Sequence, residues 1–539
     1  MSEPLPKTAL VQINTTVGDL EGNAQKIVEG AREAVAAGAG LVLFPELCLP
    51  GYPAEDLYLR TDFIRANSDA LEEVSPQLTG ATFVVGYAEP AGESTPGRAI
   101  AFNSAAVIAD GVSVGTYRKR LLPNYGVFDE RRTFKPGERP LVVDAAGISC
   151  GVTICEDCWE PDDPVARDLA PGADLILNLS ASPYHRGKGA EREAIFRDTA
   201  IAQQLPVAVC NLVGGQDELV FDGASVAIAA DGTPLARAAR FEEEVLLVEW
   251  DSPTGLGSLD SGAEEVYAAL VLGLRDYVDK NGFGRVGVGL SGGIDSALVA
   301  LLARDALGPE RVSVVIMPSP FSSSETQEDA RTLAANLGCE TLEYPIGGLM
   351  TGYEDLLGGD DRGLAAENIQ ARIRGNILMA LSNSRGWLVL TTSNKSEASV
   401  GYSTLYGDMA GGFAPIRDVP KGLVYELAEF RNRDGQPVPP GILERPPSAE
   451  LRPGQLDVDS LPEYELLDEI INLHVEGDLG PAEIIARGLD PETVASVVGL
   501  VDRAEYKRRQ SPPGTRITTR SFGRDRRMPI TNRYRPASS

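Results

Sequence analysis

The chain has 539 residues, enough for two to four domains with large buried cores. Hydrophobic residues make up 43% and charged residues 24%, which excludes a disordered chain, and no apolar run approaches the ~20 residues of a membrane span. A formal net charge of −29 excludes a general nucleic-acid binder, because phosphates would be repelled.

From the N-terminus, MSEPLPKTALVQINTTVGDL lacks the apolar core of a secretory signal, so a cytoplasmic protein with no membrane partner is expected. TALVQI (8–13) reads as a strand, and a helix with apolar residues at helical spacing follows at 22–37. Further strands are GLVLFPE (40–46), ATFVVGYA (81–88), SAAVIAD (104–110), GISCGVTIC (147–155), ADLILNLS (173–180), PVAVCNLV (206–213), ASVAIAA (224–230) and EVLLVEW (244–250). Many strands with few long helices predict packed sheets in an α/β or α-β-β-α arrangement. The run beginning at Asp251 breaks this pattern and reads as a linker. The expected division is residues 1–252, a linker 253–262, and residues 263–539. The second part alternates helix 263–280, strand RVGVGL (285–290), helix 294–307, strand RVSVVIMP (311–318), a helix near 324–337 and strand WLVLTTS (387–393). That rhythm predicts a doubly wound parallel sheet. Residues 432–460, rich in Pro, Gly and charge, read as an excursion from it.

Only two histidines are present, His185 and His474, so a Ser-His-Asp or Cys-His enzyme has almost no base to draw on. The six cysteines of a long cytosolic chain should be reduced. From Arg503 onward the sequence turns basic. Composition favours an arm docked on an acidic neighbouring subunit over a phosphate site, and a homo-oligomer follows from that.

In VGVGLSGGIDSALVA an apolar strand enters a glycine loop and then a helix. Gly289, Leu290, Ser291, Gly292, Gly293, Ile294, Asp295 and Ser296 suit a phosphate chain, because glycines let the backbone approach and the helix start offers free N–H groups. The Gly-Lys-Ser/Thr ending of a Walker loop is absent. Asp295 beside an anion makes sense if Mg²⁺ bridges it to phosphate. The bland alternative is a tight turn with Asp295 and Ser296 as helix-start residues. This stretch resembles the loop of the AMP-releasing ATP pyrophosphatases. MPSPFSSSETQEDA (317–330), ENIQARIRGNILM (367–379), TTSNKSEASVGYSTLYGDMAGGFAPI (391–416) and EYKRRQSPPG (505–514) resemble the NAD synthetase family. That resemblance implies that Thr392 touches ATP, that Asn368, Glu397 and Lys507 hold deamido-NAD, and that Asp295 and Glu397 hold Mg²⁺. Glu397 and Asp408 read as loop carboxylates, and Lys395 and Lys507 as phosphate-binding cations.

In the first part, FPELCLPGYP, RKRLLPNYGVFDE and GVTICEDCW resemble the nitrilase, or carbon–nitrogen hydrolase, superfamily with its Glu-Lys-Cys triad. NLSASPYHRGKGAERE (178–193) and LVGGQDELVFDGAS (212–225) resemble the glutaminase branch attached to NAD synthetase. The resemblance implies Glu46 as proton acceptor, Lys119 as charge stabiliser and Cys155 as nucleophile. It also implies Tyr125, Glu156, Ser182 and Lys188 as glutamine-binding residues. A carboxylate base also suits a chain nearly free of histidine. Taken singly, a Cys at a strand end is usually packing, and Cys155 with Cys158 also spells a redox C-x-x-C. The whole chain therefore resembles the glutamine-dependent NAD synthetases. The implied fold is an N-terminal nitrilase-like α-β-β-α sandwich and a C-terminal doubly wound sheet of the ATP pyrophosphatase type. The implied substrates are deamido-NAD, ATP and glutamine. The alternatives are an amidotransferase for another adenylated acceptor, an amide hydrolase with a nucleotide-sensing domain, and a non-catalytic scaffold.

Overall fold

The fold is that of a computed structural model, which describes residues 4–92, 99–159, 164–253, 256–259, 262–358 and 363–534. The chain divides into two compact units, Met1–Asp260 and Ser261–Ser539. Of the expected linker, Thr254, Gly255, Asp260 and Ser261 lie outside the described residues.

The strands of the first unit are β1 (Thr8–Gln12), β2 (Leu41–Leu43), β3 (Thr82–Pro90), β4 (Ala101–Ala109), β5 (Val112–Arg118), β6 (Leu141–Ala145), β7 (Ile148–Ile154), β8 (Leu175–Ser180), β9 (Val207–Asn211), β10 (Val213–Gln216), β11 (Leu219–Asp222), β12 (Val226–Ile228), β13 (Pro234–Arg237) and β14 (Glu244–Val248). Among the described residues they form two six-stranded sheets, ordered β14-β1-β2-β3-β4-β5 and β13-β12-β9-β8-β7-β6, and the hairpin β10-β11. The neighbours β1, β2 and β3 are parallel, as are β7, β8 and β9.

Side-chain alternation decides what each strand buries. On β1, Leu10 faces the core between the sheets, while Ala9 and Val11 face helix Leu20–Ala36. On β8, Leu175, Leu177 and Leu179 point inward, and Ile176 packs outward with Phe196 of helix Lys188–Gln203. Both faces are covered, so the central strands are apolar nearly throughout. The result is the expected α-β-β-α layering. Strands β5 and β6 escaped the sequence reading because they are sheet edges. Val112 and Val114 on β5 are exposed, and Ser113, Gly115 and Thr116 among and after them dilute the apolar signal.

The second unit carries β15 (Arg285–Gly289), β16 (Val312–Ile316), β17 (Glu340–Glu343) and β18 (Trp387–Leu390), all parallel, in the order β17-β16-β15-β18. The helices Ala263–Lys280, Ile294–Leu307 and Ser324–Leu337 stand where the sequence placed them. One sheet face packs Val315, Trp387 and Val389 against Met350, Ile373 and Leu378 of helices Gly347–Leu357 and Leu364–Arg385. Strand order reverses at β15, which pairs with both β16 and β18. A crevice therefore opens beyond the C-terminal ends of β15 and β18, where doubly wound sheets hold ligands. Among the described residues no helix is long and apolar enough to cross a membrane.

Candidate functional site

Each unit gathers one cluster of functional side chains. In the first, Glu46 follows β2, Lys119 follows β5 and Cys155 follows β7. All three are buried, with Glu46 and Lys119 each only 1% exposed. The Lys119 ammonium donates to Glu46 Oε1 at 2.7 Å and to Glu130 Oε1 at 3.0 Å. Asn103 Nδ2 also donates to Glu46 Oε1 at 2.7 Å, and the backbone N–H of Ala181 to Glu46 Oε2 at 2.9 Å. Burial works against the Lys119 charge, but the Glu130 and Glu46 carboxylates outweigh it and hold the amine protonated. Burial and then Glu46 push the Cys155 thiol well above its usual range, with Lys119 opposing them. The resting sulfur is therefore a thiol, and it needs a base when it attacks.

Cys155 opens a short 3-10 turn, Cys155–Cys158, with φ +42°. A non-glycine residue in that region costs about 1–2 kcal/mol, so the surrounding bonds must hold it there. The sharp strand-to-turn exit is what lifts a nucleophile off the end of a strand. Cys158 packs in a different core cluster from Cys155, on the outer face of the sheet, and its thiol lies 3.4 Å from Thr153 Oγ1. The two thiols face apart, so the C-x-x-C is not arranged as a redox pair.

The four expected glutamine-site residues sit on neighbouring segments. Tyr125 Oη donates to the Glu156 carboxylate at 2.9 Å. Lys188 starts helix Lys188–Gln203, donates to Glu191 Oε1 at 3.0 Å and stands 4.0 Å over the Trp159 ring. Ser182 is buried, and its hydroxyl has no hydrogen-bond partner among the described residues. A buried polar atom left open in this way marks a position where a ligand can bond.

Glu130 and Asp157 escaped the sequence reading of this site. Burial raises Glu130 to about 7, against the pull of Lys119, and raises Asp157 to about 6. Each holds its proton to a higher pH in the folded chain than in the unfolded one. Between about pH 4 and 7 the folded state thus binds more protons, and stability falls as pH rises. We expect thermal unfolding to move down by several degrees across that window, a change on the order of a few kcal/mol. Glu130→Gln should flatten the slope. A melting temperature that climbs from pH 5 to pH 7 in the parent chain would contradict this.

In the second unit a cavity of about 300 Å³ opens at the switch point. Gly289, Leu290, Ser291, Gly292, Gly293, Ile294, Asp295, Ser296, Thr392 and Glu397 all line it. Gly292 has φ +85°, and a β-carbon there would lie 2.3 Å from the Thr326 carbonyl oxygen, so only glycine fits. Ser296 Oγ donates to the Gly293 carbonyl at 3.0 Å and accepts from the Ser291 N–H at 3.2 Å, and the Gly293 N–H donates to Ser291 Oγ at 3.2 Å, which fixes the loop from within. Asp295 lies in the first turn of helix Ile294–Leu307. Its Oδ1 accepts from Asn394 Nδ2 at 2.8 Å, and its Oδ2 from Lys421 Nζ at 2.5 Å. Asn394 Oδ1 in turn accepts from the Glu397 N–H at 2.9 Å, so one side chain ties the two carboxylate segments together. Burial, with Asp295 next, raises Glu397 to about 8. Burial opposes the Lys421 charge, but Asp295 and Glu397 overcome it and keep the amine protonated.

Several expectations change here. Glu397 lies in the first turn of helix Lys395–Val400, not in a loop. Lys395 offers nothing to a phosphate: it is buried and bonded to Glu476, Asp418, Thr518 Oγ1 and the Arg520 carbonyl. Asn368 does not line the cavity; its Oδ1 accepts from Thr404 Oγ1 at 2.7 Å. Lys507 donates to the carbonyls of Gly401 and Ser403, both at 2.7 Å, and lines a separate small cavity with Ser393. Both side chains thus brace segment 401–404, whose Thr404 reaches the main cavity. The basic run from Arg503 is not a free arm. Arg508 pairs with Glu505, Arg516 with Asp525 and Arg520 with Asp478. The excursion 432–460 proves to be cavity wall, contributing Ile442 and Arg445 to Leu451. Gln370 Nε2 donates to the Leu451 carbonyl at 2.9 Å and Thr326 Oγ1 to Glu450 at 2.7 Å, which hold that wall in place. The sequence reading missed Lys421 and Asn394.

Comparison with known proteins covers both units. The carbon–nitrogen hydrolase family model matches residues 7–255 and the NAD synthase model residues 266–511. The glutamine-dependent NAD(+) synthetase of Thermotoga maritima is 47% identical over 98% of this chain and 99% of its own length. A solved structure of the glutamine-dependent NAD+ synthetase from Acinetobacter baumannii, in complex with ADP, is 40% identical, covers 98% of both chains and superposes with a TM-score of 0.77. The glutamine-dependent NAD(+) synthetase from Cytophaga hutchinsonii, at 23% identity, shares the fold with a TM-score of 0.83 over 98% of each chain. Two matched domains and near-full-length identity above 30% establish that the chain belongs to the family of glutamine-dependent NAD(+) synthetases.

Proposed function

We propose that this chain amidates deamido-NAD to NAD, with ATP as co-substrate and glutamine as nitrogen donor, releasing AMP, pyrophosphate and glutamate. One observation carries the reading. A buried carboxylate–lysine–thiol cluster and a glycine loop backed by two carboxylates at a sheet switch point are both complete in one chain. The glutaminase domain is residues 1–252, joined by 253–262 to the synthetase domain at 263–539.

In the glutaminase, Glu46 takes the thiol proton as Cys155 sulfur attacks the side-chain amide. The Lys119 ammonium stabilises the tetrahedral oxyanion. Glu46 returns the proton to the departing ammonia, and a thioester remains. Water, deprotonated by Glu46, then releases glutamate. Tyr125, Glu156, Ser182 and Lys188 hold the substrate, with Glu156 suited to the α-ammonium and Lys188 to the α-carboxylate.

In the synthetase, Gly292 and the first turn of helix Ile294–Leu307 offer N–H groups to the ATP phosphates, Lys421 offsets their charge, and Thr392 bonds ATP at the end of β18. The nicotinate carboxylate of deamido-NAD attacks the α-phosphorus, and pyrophosphate leaves. Ammonia then attacks the acyl carbon and expels AMP. The residues fit Mg²⁺: Asp295 and Glu397 offer hard oxygen donors, and their mutual repulsion is what a divalent cation relieves. When bound, the ion supplies charge neutralisation at the phosphates. Asn368, Glu397 and Lys507 serve deamido-NAD, the first and last by shaping segment 401–404.

Exposed Leu349, Tyr353, Leu356 and Leu357 on helix Gly347–Leu357, with Leu364 beside it in sequence, support a homo-oligomer. Six cysteines without a disulfide support a cytoplasmic site of action.

The test is NAD formation from deamido-NAD and ATP with glutamine or ammonium, using deamido-NAD labelled with ¹⁸O in its carboxylate. Labelled AMP is expected; ADP, or unlabelled AMP, would rule out adenylation. Lys507→Ala should raise the deamido-NAD KM by about tenfold and leave glutamine hydrolysis measured alone unchanged. A change in assembly state with an unaltered KM would remove Lys507 from the substrate site.

A further inference from the structure

We propose that Asp157 is a positioning residue of the glutamine-hydrolysing site, its carboxylate clamping the turn that carries Cys155 to the segment that carries Lys119. The proposal rests on the glutaminase reading of that site and adds to it the part that aligns nucleophile and cation.

Asp157 is fully buried. Its Oδ2 accepts from the Tyr117 hydroxyl at 2.8 Å and from the Ile154 N–H at 3.0 Å. Its Oδ1 accepts from the N–H groups of Leu121 at 2.9 Å and Arg120 at 3.2 Å. Ile154 immediately precedes Cys155. Tyr117 lies two residues before Lys119, and Arg120 and Leu121 follow it directly. One carboxylate therefore holds the backbone next to the nucleophile, the backbone just after the cation and the Tyr117 side chain two residues before it, although Lys119 and Cys155 follow strands of different sheets. All four bonds come from donors. Once ionised, above about pH 6, the carboxylate is acceptor-only and satisfies them together, which an amide does not.

The clamp also accounts for the backbone at Cys155. Its φ of +42° is unfavourable for a residue with a β-carbon, and the Ile154–Asp157 bond closes the turn around it. A group that fixes both ends at sub-ångström precision acts on the attack step rather than on substrate binding. Asp157 itself reaches no substrate in this scheme; it acts through Cys155 and Lys119.

The experiment is Asp157→Asn in the full chain. The amide keeps the shape but turns an NH₂ toward two N–H or O–H donors. We expect kcat for glutamine hydrolysis to fall about 100-fold with KM within about threefold, and ammonium-supported NAD synthesis to be unchanged. Alkylation of Cys155 by iodoacetamide, read by peptide mass spectrometry, should shift its pH profile upward by about one unit as Lys119 loses its alignment. Unchanged kcat and an unchanged alkylation profile overturn the proposal, whatever happens to the melting temperature. If Asp157→Asn does not fold, Tyr117→Phe decides: it removes one of the four donors and should lower kcat about three- to tenfold at constant KM. No change in that variant also overturns the clamp. A parent chain that hydrolyses no glutamine would sink the glutaminase reading instead, and the alkylation profile would then test the clamp alone.

Discussion

Cys155→Ala will abolish NAD formation from glutamine and leave formation from ammonium salts intact. The loss should be at least about 10⁴-fold, because no second nucleophile is available to form the thioester. Cys158 cannot substitute: it faces a separate core cluster on the outer side of its sheet. Alanine keeps the β-carbon, so the positive φ at this position is neither relieved nor worsened. The missing sulfur leaves a small cavity that costs about 1 kcal/mol, too little to unfold the chain. The synthetase loop and its carboxylates lie in the other unit and need only unprotonated ammonia, so the ammonium-supported rate should rise with pH. Cys158→Ala should keep the glutamine-supported rate. Glutamine-dependent synthesis surviving in Cys155→Ala, or lost in Cys158→Ala alone, would identify a different nucleophile.

Asp295→Ala will stop synthesis from both donors. The substitution removes one of the two carboxylates available to a divalent cation at the phosphate loop, and it leaves Lys421 with one fewer counter-charge. Uncompensated phosphate charge in the transition state should cost at least about 10³-fold in kcat. Glutamine hydrolysis assayed alone should persist, which separates this outcome from global unfolding. Asp295→Asn should also fail, since its amide can still accept from Asn394 but supplies no negative charge. Normal ammonium-supported turnover in either variant would remove Asp295 from the chemistry.

The parts of this protein legible in the sequence are those whose physics is local. Strand, glycine turn and helix are contiguous in 285–307, so this strand–loop–helix unit could be read before any tertiary contact was known. Helices 263–280, 294–307 and 324–337 declared themselves by periodicity, and the two sheet systems by short apolar runs. Glu46, Lys119 and Cys155 are a different case. They are far apart in the chain, and only their flanking strings, through family resemblance, singled them out. What joins them is the arrangement of two sheets, with Glu46 at one sheet's strand end and Cys155 at the other's.

Tertiary structure alone decided where each charge finds its partner. Lys395 and Lys421 look alike in sequence, yet Lys395 is sealed by Asp418, Glu476 and Thr518, whereas Lys421 faces the cavity between Asp295 and Glu397. Within the basic C-terminal run, Arg508, Arg516 and Arg520 find their partners in Glu505, Asp525 and Asp478. Glu130 and Asp157 carry no signal of their own, because a carboxylate becomes a site residue only when burial leaves it a single set of donors. Residue type and local periodicity specify which elements form and which groups carry charge. Whether water, a ligand or a distant side chain answers that charge depends on long-range packing, which sequence order does not encode locally.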